Sequence, residues 1–273
     1  MDASFAAIIT AAGSSTRMRS FAESVQESGM ESAVNSMAGS AAGSAGVPVK
    51  KEYLPLGPDR CDGEGKPLTV LGAAVSAFAR FDKEIGVIVV TVPAGGEALA
   101  RAALPRELSE TPARSGRPPL LFTDGGSSRR ASVYRALSLL RSCEASWAPS
   151  WVLIHDGARP WLSADLIKRV MDAVVQHGAV IPLTPLLETP KEVDGGGLIL
   201  KHLRRSNMGL AQTPQAFAFP RILQAHERAA EQAAERGAEY TDDAEIWGEF
   251  CGPVATVPGE RGNRKITHME DLA

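Results

Sequence analysis

Short, wholly apolar runs alternate along the chain with longer segments in which apolar residues recur every three or four positions. Phe5–Thr10 (FAAIIT) reads as a buried strand that stops at Ala-Ala-Gly. Residues 84–92 (EIGVIVVTV) form the clearest strand, β-branched and closed by Pro93. Residues 119–122, 151–155 (WVLIH) and 179–183 (AVIPL) are further strands. Runs apolar at successive positions suit a parallel sheet covered on both faces. Helical spacing marks residues 69–81, 130–141, 163–176 and 220–236, with Ser163 at the expected N-cap of the third. The alternation predicts an α/β fold with a doubly wound, mostly parallel sheet. Right-handed crossovers in such a fold bring ligands to the carboxyl ends of the strands.

Two segments break the alternation. Residues 19–49 are rich in Ser, Ala and Gly and nearly free of large apolar side chains after Phe21. That composition cannot bury a core and predicts a flexible, low-complexity insertion. Residues 192–201 contain Gly195, Gly196 and Gly197 between two apolar stretches. They predict two strands joined by a turn, a β-arm over 186–205 projecting from a single domain of 1–273.

Composition narrows the function classes. The chain has 273 residues, 44% hydrophobic, with a net charge of -3. No global basic field draws it to nucleic acid or to a membrane surface. Anionic ligands would have to be held by a few local Arg and Lys. Cys61, Cys143 and Cys251 are odd in number, far apart and outside any C-x-x-C spacing. They fit neither a disulfide framework nor a zinc site and suit a reducing compartment. No apolar run reaches the roughly 18 residues needed to span a bilayer. The first residues, Met1-Asp2-Ala3-Ser4, carry no secretory pattern, so a cytoplasmic location is expected.

The candidate chemistry sits in the loops. Ala11-Ala12-Gly13-Ser14-Ser15-Thr16-Arg17 follows the first strand, with small residues for close phosphate approach and an arginine for bidentate contact. It matches neither G-x-x-x-x-G-K-[ST] nor G-x-G-x-x-G, so a P-loop or dinucleotide reading is weak, and an ordinary βα turn is the plainer one. Lys51 precedes a Tyr-Leu-Pro-Leu-Gly run. Thr123-Asp124-Gly125-Gly126 leads to Ser132 through a Gly-Gly turn that admits a flat base, or simply caps a helix. Asp156 and Arg159, in His155-Asp156-Gly157-Ala158-Arg159-Pro160, lie at a strand's carboxyl end. There Asp156 suits a substrate hydroxyl or Mg²⁺ and Arg159 a phosphate. His155 reads as a structural, hydrogen-bonded histidine.

In order, AAGSSTRM, KEYLPLG, DGGSSRRASV, IHDGARP, LLETPK, RSNMGLAQTPQAF, YTDDAE and GNRKITHMEDL resemble one family, the 2-C-methyl-D-erythritol 4-phosphate cytidylyltransferases of the non-mevalonate isoprenoid pathway. The resemblance runs from Ala11 to Leu272. It implies a nucleotide-diphospho-sugar transferase-like core and a homodimer whose arms reach across to the partner's site. The implied reaction joins CTP to methylerythritol 4-phosphate and releases pyrophosphate, with Mg²⁺ held mainly through the CTP phosphates. Catalysis would then fall to Arg17, Lys51 and Lys265. Ala11, Ala12, Gly13 and Ser15 would line the triphosphate and cytidine, and Gly125, Gly126 and Ser132 the cytosine. The acceptor would meet Asp156, Arg159 and Thr213, and from the arm Thr189 and Arg205. The chain departs from the family pattern at Ser15 (usually Gly), Glu52 (usually Gln) and Glu188 (usually Asp). Family members usually continue with a further helix past Ala273; against that pattern the chain reads either as truncated or as half of a fusion. The rival readings are a cytidylyltransferase for ribitol or another polyol phosphate, a non-catalytic nucleotide-binding relic and, more remotely, a Rossmann dehydrogenase.

Overall fold

The computed structural model describes residues 5–13, 50–57, 59–109, 117–142, 149–237 and 239–272. The expected insertion at 19–49, with Ser15 and Arg17, lies outside these residues. In chain order the elements are β1 (Phe5–Thr10), α1 (Val70–Ala79), β2 (Ile85–Val92), α2 (Glu97–Ala102), α3 (Arg106–Ser109), β3 (Leu120–Asp124), α4 (Arg129–Ser142) and β4 (Trp151–Asp156). Then follow α5 (Ala164–His177), β5 (Ala179–Pro185), β6 (Lys191–Val193), β7 (Ile199–His202), β8 (Gly209–Ala211), β9 (Gln215–Ala218), α6 (Phe219–Arg236), α7 (Asp243–Phe250) and β10 (Ala255–Pro258).

The main sheet runs β10-β5-β9-β4-β1-β2-β3, with β8 also on β5. β1 pairs in parallel with β2 and β4, and β2 with β3. The expected mostly parallel, doubly wound sheet is present. Its departures are β9, which lies antiparallel between β4 and β5, and β8, antiparallel on β5. The alternation of β1 explains why FAAIIT has no polar face. Phe5, Ala7 and Ile9 join a core with α1 and α5, while Ala6 and Ile8 join a second core with α4, α6 and α7. The chain reverses its direction of growth at β1, between β2 and β4. That is the switch point where such sheets take ligands.

The arm is a separate two-stranded sheet, β6 with β7. The Asp194 carboxylate accepts from the Gly196 and Leu198 amides, and Gly197 turns the chain at φ 84°. Leu187, Val193, Leu198, Ile199 and Leu200 stand exposed on and beside it. Among the described residues, no helix is long and apolar enough to cross a membrane.

Helix α5 is bounded by its own side chains. Ser163 accepts from the Leu166 amide at 3.0 Å, and Gly178 ends the helix in the left-handed region at φ 79°. Ser163→Ala is expected to cost about 1 kcal/mol. That would lower the melting midpoint by roughly 2–4 °C in a thermal unfolding scan.

Candidate active site

Backbone hydrogen bonds draw the carboxyl ends of the strands into one rim. The Ala11 amide donates to the Thr91 carbonyl at 3.0 Å, Gly157 to Thr10 at 2.9 Å, and Gly125 to Val92 at 2.7 Å. Gly125 lets two loops touch, because a Cβ there would lie 2.1 Å from that of Ala12. The Ala11–Ala12–Gly13 loop and the Gly125–Gly126 turn therefore form one surface without projecting side chains. Ser132 is buried, and its hydroxyl accepts from the Gly126 amide at 3.0 Å and donates to the Ser128 carbonyl at 2.9 Å. Its hydroxyl braces the turn.

Asp156 is the electrostatic centre. Its carboxylate meets Arg129 Nε at 3.2 Å and Lys265 Nζ at 2.8 Å, with Arg159 Nε 3.9 Å away. Burial alone would raise its pKa. Arg129, then Lys265, then Arg159 hold it far below the ordinary carboxylate range. Asp156 is thus an anion throughout the neutral range.

His155 fixes this aspartate from behind. The ring is fully buried, and burial lowers its pKa to about 4. One ring nitrogen lies 3.0 Å from the Arg159 carbonyl, the other 3.0 Å from the Thr213 hydroxyl. A carbonyl only accepts, so Nε2 carries the proton and Nδ1 accepts from Thr213. The Thr213 hydroxyl in turn accepts from the Asp156 amide at 3.1 Å. His155 is a structural histidine that aligns Arg159, Thr213 and Asp156.

The segment 263–267 closes the site. Asn263 donates to the Thr213 carbonyl at 2.7 Å and receives Arg159 Nη1 on its own carbonyl at 2.7 Å. Gln212 ties the same segment through Glu260, donating to its carbonyl and accepting from its amide. Lys51 Nζ donates to the Ile266 carbonyl at 2.7 Å. The result is a cavity of about 270 Å³ lined in part by Arg129, Asp156, Arg159, Thr213, Asp242 and Lys265.

Of the candidates read from sequence, Asp156, Arg159, Thr213 and Lys265 share this cavity. Thr189 and Arg205 do not. Both are exposed on the arm, where Arg205 donates to the Leu187 carbonyl at 2.8 Å. Sequence reading missed Arg129, which lines the cavity, and Lys50, whose ammonium bonds the Ala11 carbonyl at 3.1 Å and also that of Gly13. The one local signal for Arg129 was a cation at a helix start, where the dipole disfavours it.

A family model described as 2-C-methyl-D-erythritol 4-phosphate cytidylyltransferase matches residues 61–273. The chain belongs to this family. Curated relatives include the bifunctional enzyme IspD/IspF of Solidesulfovibrio magneticus, 40% identical over 227 residues, covering 82% of this chain and 50% of the relative. Another, from Bradyrhizobium diazoefficiens, is 36% identical over 229 residues, covering 84% and 50%. The chain spans about half the length of these relatives. The solved 2-C-methyl-D-erythritol 4-phosphate cytidylyltransferase from Thermus thermophilus is 31% identical over 75% of this chain and 85% of its own, at a TM-score of 0.55. The solved synthase from Anaerococcus prevotii, at 23% identity, covers 100% of this chain and 96% of its own, with a TM-score of 0.68, a likeness of fold.

Within this cytidylyltransferase-family frame, Glu52 is a buried carboxyl at 4% exposure, with one oxygen lacking any hydrogen-bond partner. Burial raises its pKa from 4.5, against the pull of Lys51, Lys50 and Lys265. A raised folded-state pKa means the folded chain binds the proton more tightly. Its contribution to stability is therefore present at low pH and lost as pH rises above 4.5 through the folded value. Glu52→Gln is expected to raise the melting midpoint, and to raise it more at pH 8 than at pH 5, in paired thermal scans. Gly125→Ala is expected to cost about 1–3 kcal/mol by overpacking against Ala12, read as a lower urea midpoint at unchanged slope.

Proposed function

We propose that this chain transfers the cytidylyl group of CTP to 2-C-methyl-D-erythritol 4-phosphate and releases pyrophosphate. The observation that carries the reading is the Asp156 carboxylate ringed by Arg129, Arg159 and Lys265 in a cavity beside a bare-backbone loop. An anion held among cations suits an acceptor that is both polyhydroxylated and phosphorylated. The carboxylate takes hydroxyls while the surrounding cations take phosphate. The surface made by Ala11, Ala12, Gly13, Gly125 and Gly126 suits the flat, charged nucleotide.

The acceptor phosphate oxygen attacks the α-phosphorus of CTP. A new P–O bond forms, the bond to the β-phosphate oxygen breaks, and pyrophosphate departs with that electron pair. The nucleophile is already an anion, so no general base is required. The task is to bring two polyanions together and to stabilise charge at the crowded phosphorus, which positioned cations do. Lys51, Lys265 and Arg17 have that role in this reading.

Mg²⁺ fits as a passenger of the triphosphate. Both Asp156 oxygens are engaged by cations, and among the described residues no three His, Cys, Asp or Glu side chains cluster. When bound, the ion neutralises phosphate charge. A homodimer is part of the same proposal. The exposed apolar side chains of the arm, from Leu187 to Leu200, support a second copy as their cover, with Thr189 and Arg205 reaching its acceptor.

The test is pyrophosphate release from CTP and Mg²⁺ with methylerythritol 4-phosphate, beside ribitol 5-phosphate as the competing acceptor. Turnover with the first and not the second is expected. No release at saturating substrate would overturn the assignment, and preference for ribitol phosphate would move it to a sister activity. Arg17→Ala, Lys51→Ala and Lys265→Ala are each expected to lower kcat by on the order of 10²-fold. Near-normal turnover in all three would remove the electrostatic mechanism.

A further inference from the structure

A line of polar and charged side chains continues from Asp156 away from the cavity into the protein interior. Arg129, the first residue of α4, bonds Asp156 through Nε at 3.2 Å and Asp243 through Nη1 at 2.8 Å. Asp243, the first residue of α7, is fully buried. Its other carboxylate oxygen lies 3.2 Å from Nε2 of His226, a fully buried side chain of α6. The sequence is His226, Asp243, Arg129, Asp156, Lys265, drawn from α6, α7, α4, β4 and the closing segment. Asp243 and His226 do not line the cavity, whereas Arg129, Asp156 and Lys265 do.

This arrangement is costly for stability alone. Burial would raise the Asp243 carboxyl, and Arg129 and then His226 bring it below the ordinary value. Apolar side chains of equal volume generally do as well as a buried ion pair. Arg129 also sits at the positive end of α4, whose first turn holds no acidic residue to offset it. A cation placed against its own helix dipole and clamped by two carboxylates is fixed in direction. Asp243 is at the far end of that clamp.

We propose that Asp243, backed by His226, is a positioning residue that sets the acceptor side of the site by holding Arg129 against Asp156. With Arg129 pinned from behind, one Asp156 oxygen stays engaged with it while the other faces Lys265. Release the clamp, and Arg129 is free to fold onto both Asp156 oxygens or to swing into the cavity. The nucleotide surface around Ala12 and Gly125 is built separately and is unaffected. The inference rests on the function proposed above and deepens it.

Steady-state kinetics on the full chain test it, with Asp243→Asn, Asp243→Glu and His226→Asn beside wild type. Loss of one partner from a buried, hydrogen-bonded charge pair predicts a fall of about 30-fold or more in acceptor kcat/KM for Asp243→Asn. The KM for CTP is expected to stay within about threefold, since uniform nucleotide binding is untouched. Asp243→Glu restores the charge and is expected to recover most of the loss, which a merely space-filling role would not allow. Asp243→Asn that melts like wild type and keeps acceptor kcat/KM within twofold would overturn the proposal. If that variant fails to fold, His226→Asn decides by the same criterion, with a smaller fall expected. A second readout does not need turnover. The Arg129 Nε–H resonance, assigned by its loss in Arg129→Lys, is expected to shift and broaden in Asp243→Asn. An unchanged resonance overturns the positioning role even if wild type proves inactive toward methylerythritol phosphate, an outcome that sinks only the functional reading.

Discussion

The site depends on one ionised carboxylate kept out of water. Asp156 stays charged at the carboxyl end of β4 because Arg129, Lys265 and Arg159 surround it. Each cation comes from a different part of the chain, so the carboxylate draws α4, the DGARP loop and the 263–267 segment to one point. Without it, three cations would face one another in a partly desolvated cavity, which is unfavourable by several kcal/mol. The neutral His155 ring serves this arrangement. It aligns Thr213 and Arg159 by hydrogen bonds and adds no further positive charge.

The rest of the rim is made by what is missing. Gly125 has no Cβ to collide with Ala12, so two βα loops merge into one smooth face. Ser132 and Gln212 spend their polar groups bracing backbone. A bare backbone surface therefore lies beside a pocket that is densely charged.

Much of this was legible in the chain. The apolar runs at β1, β2, β4 and β5 were unmistakable because both faces of each are buried. The switch point puts Asp156 and Arg159 beside the carboxyl end of β4, and both line the cavity there. β9 was not legible. QAFA is short, and its Gln215 is polar only because it ties Asp242 and the Ala244 amide. The clamp on Arg129 was hidden for another reason. Arg129 and Asp243 are 114 positions apart, and only the packing of α6 and α7 on α4 brings His226 and Asp243 to it. Ser132 lies in the first turns of α4, and its hydroxyl braces the Gly126 turn.

The arm leaves the sheet at β5 and re-enters it at β8, with Leu183 opposite Ala211 and Pro185 opposite Gly209. Two residues past Ala211 the chain reaches Thr213, whose hydroxyl holds the Asp156 amide. The projecting hairpin is thus a handle rooted at the floor of the cavity. Whatever grips it, or leaves it loose, acts on a stem that ends one hydrogen bond from the central carboxylate's own residue.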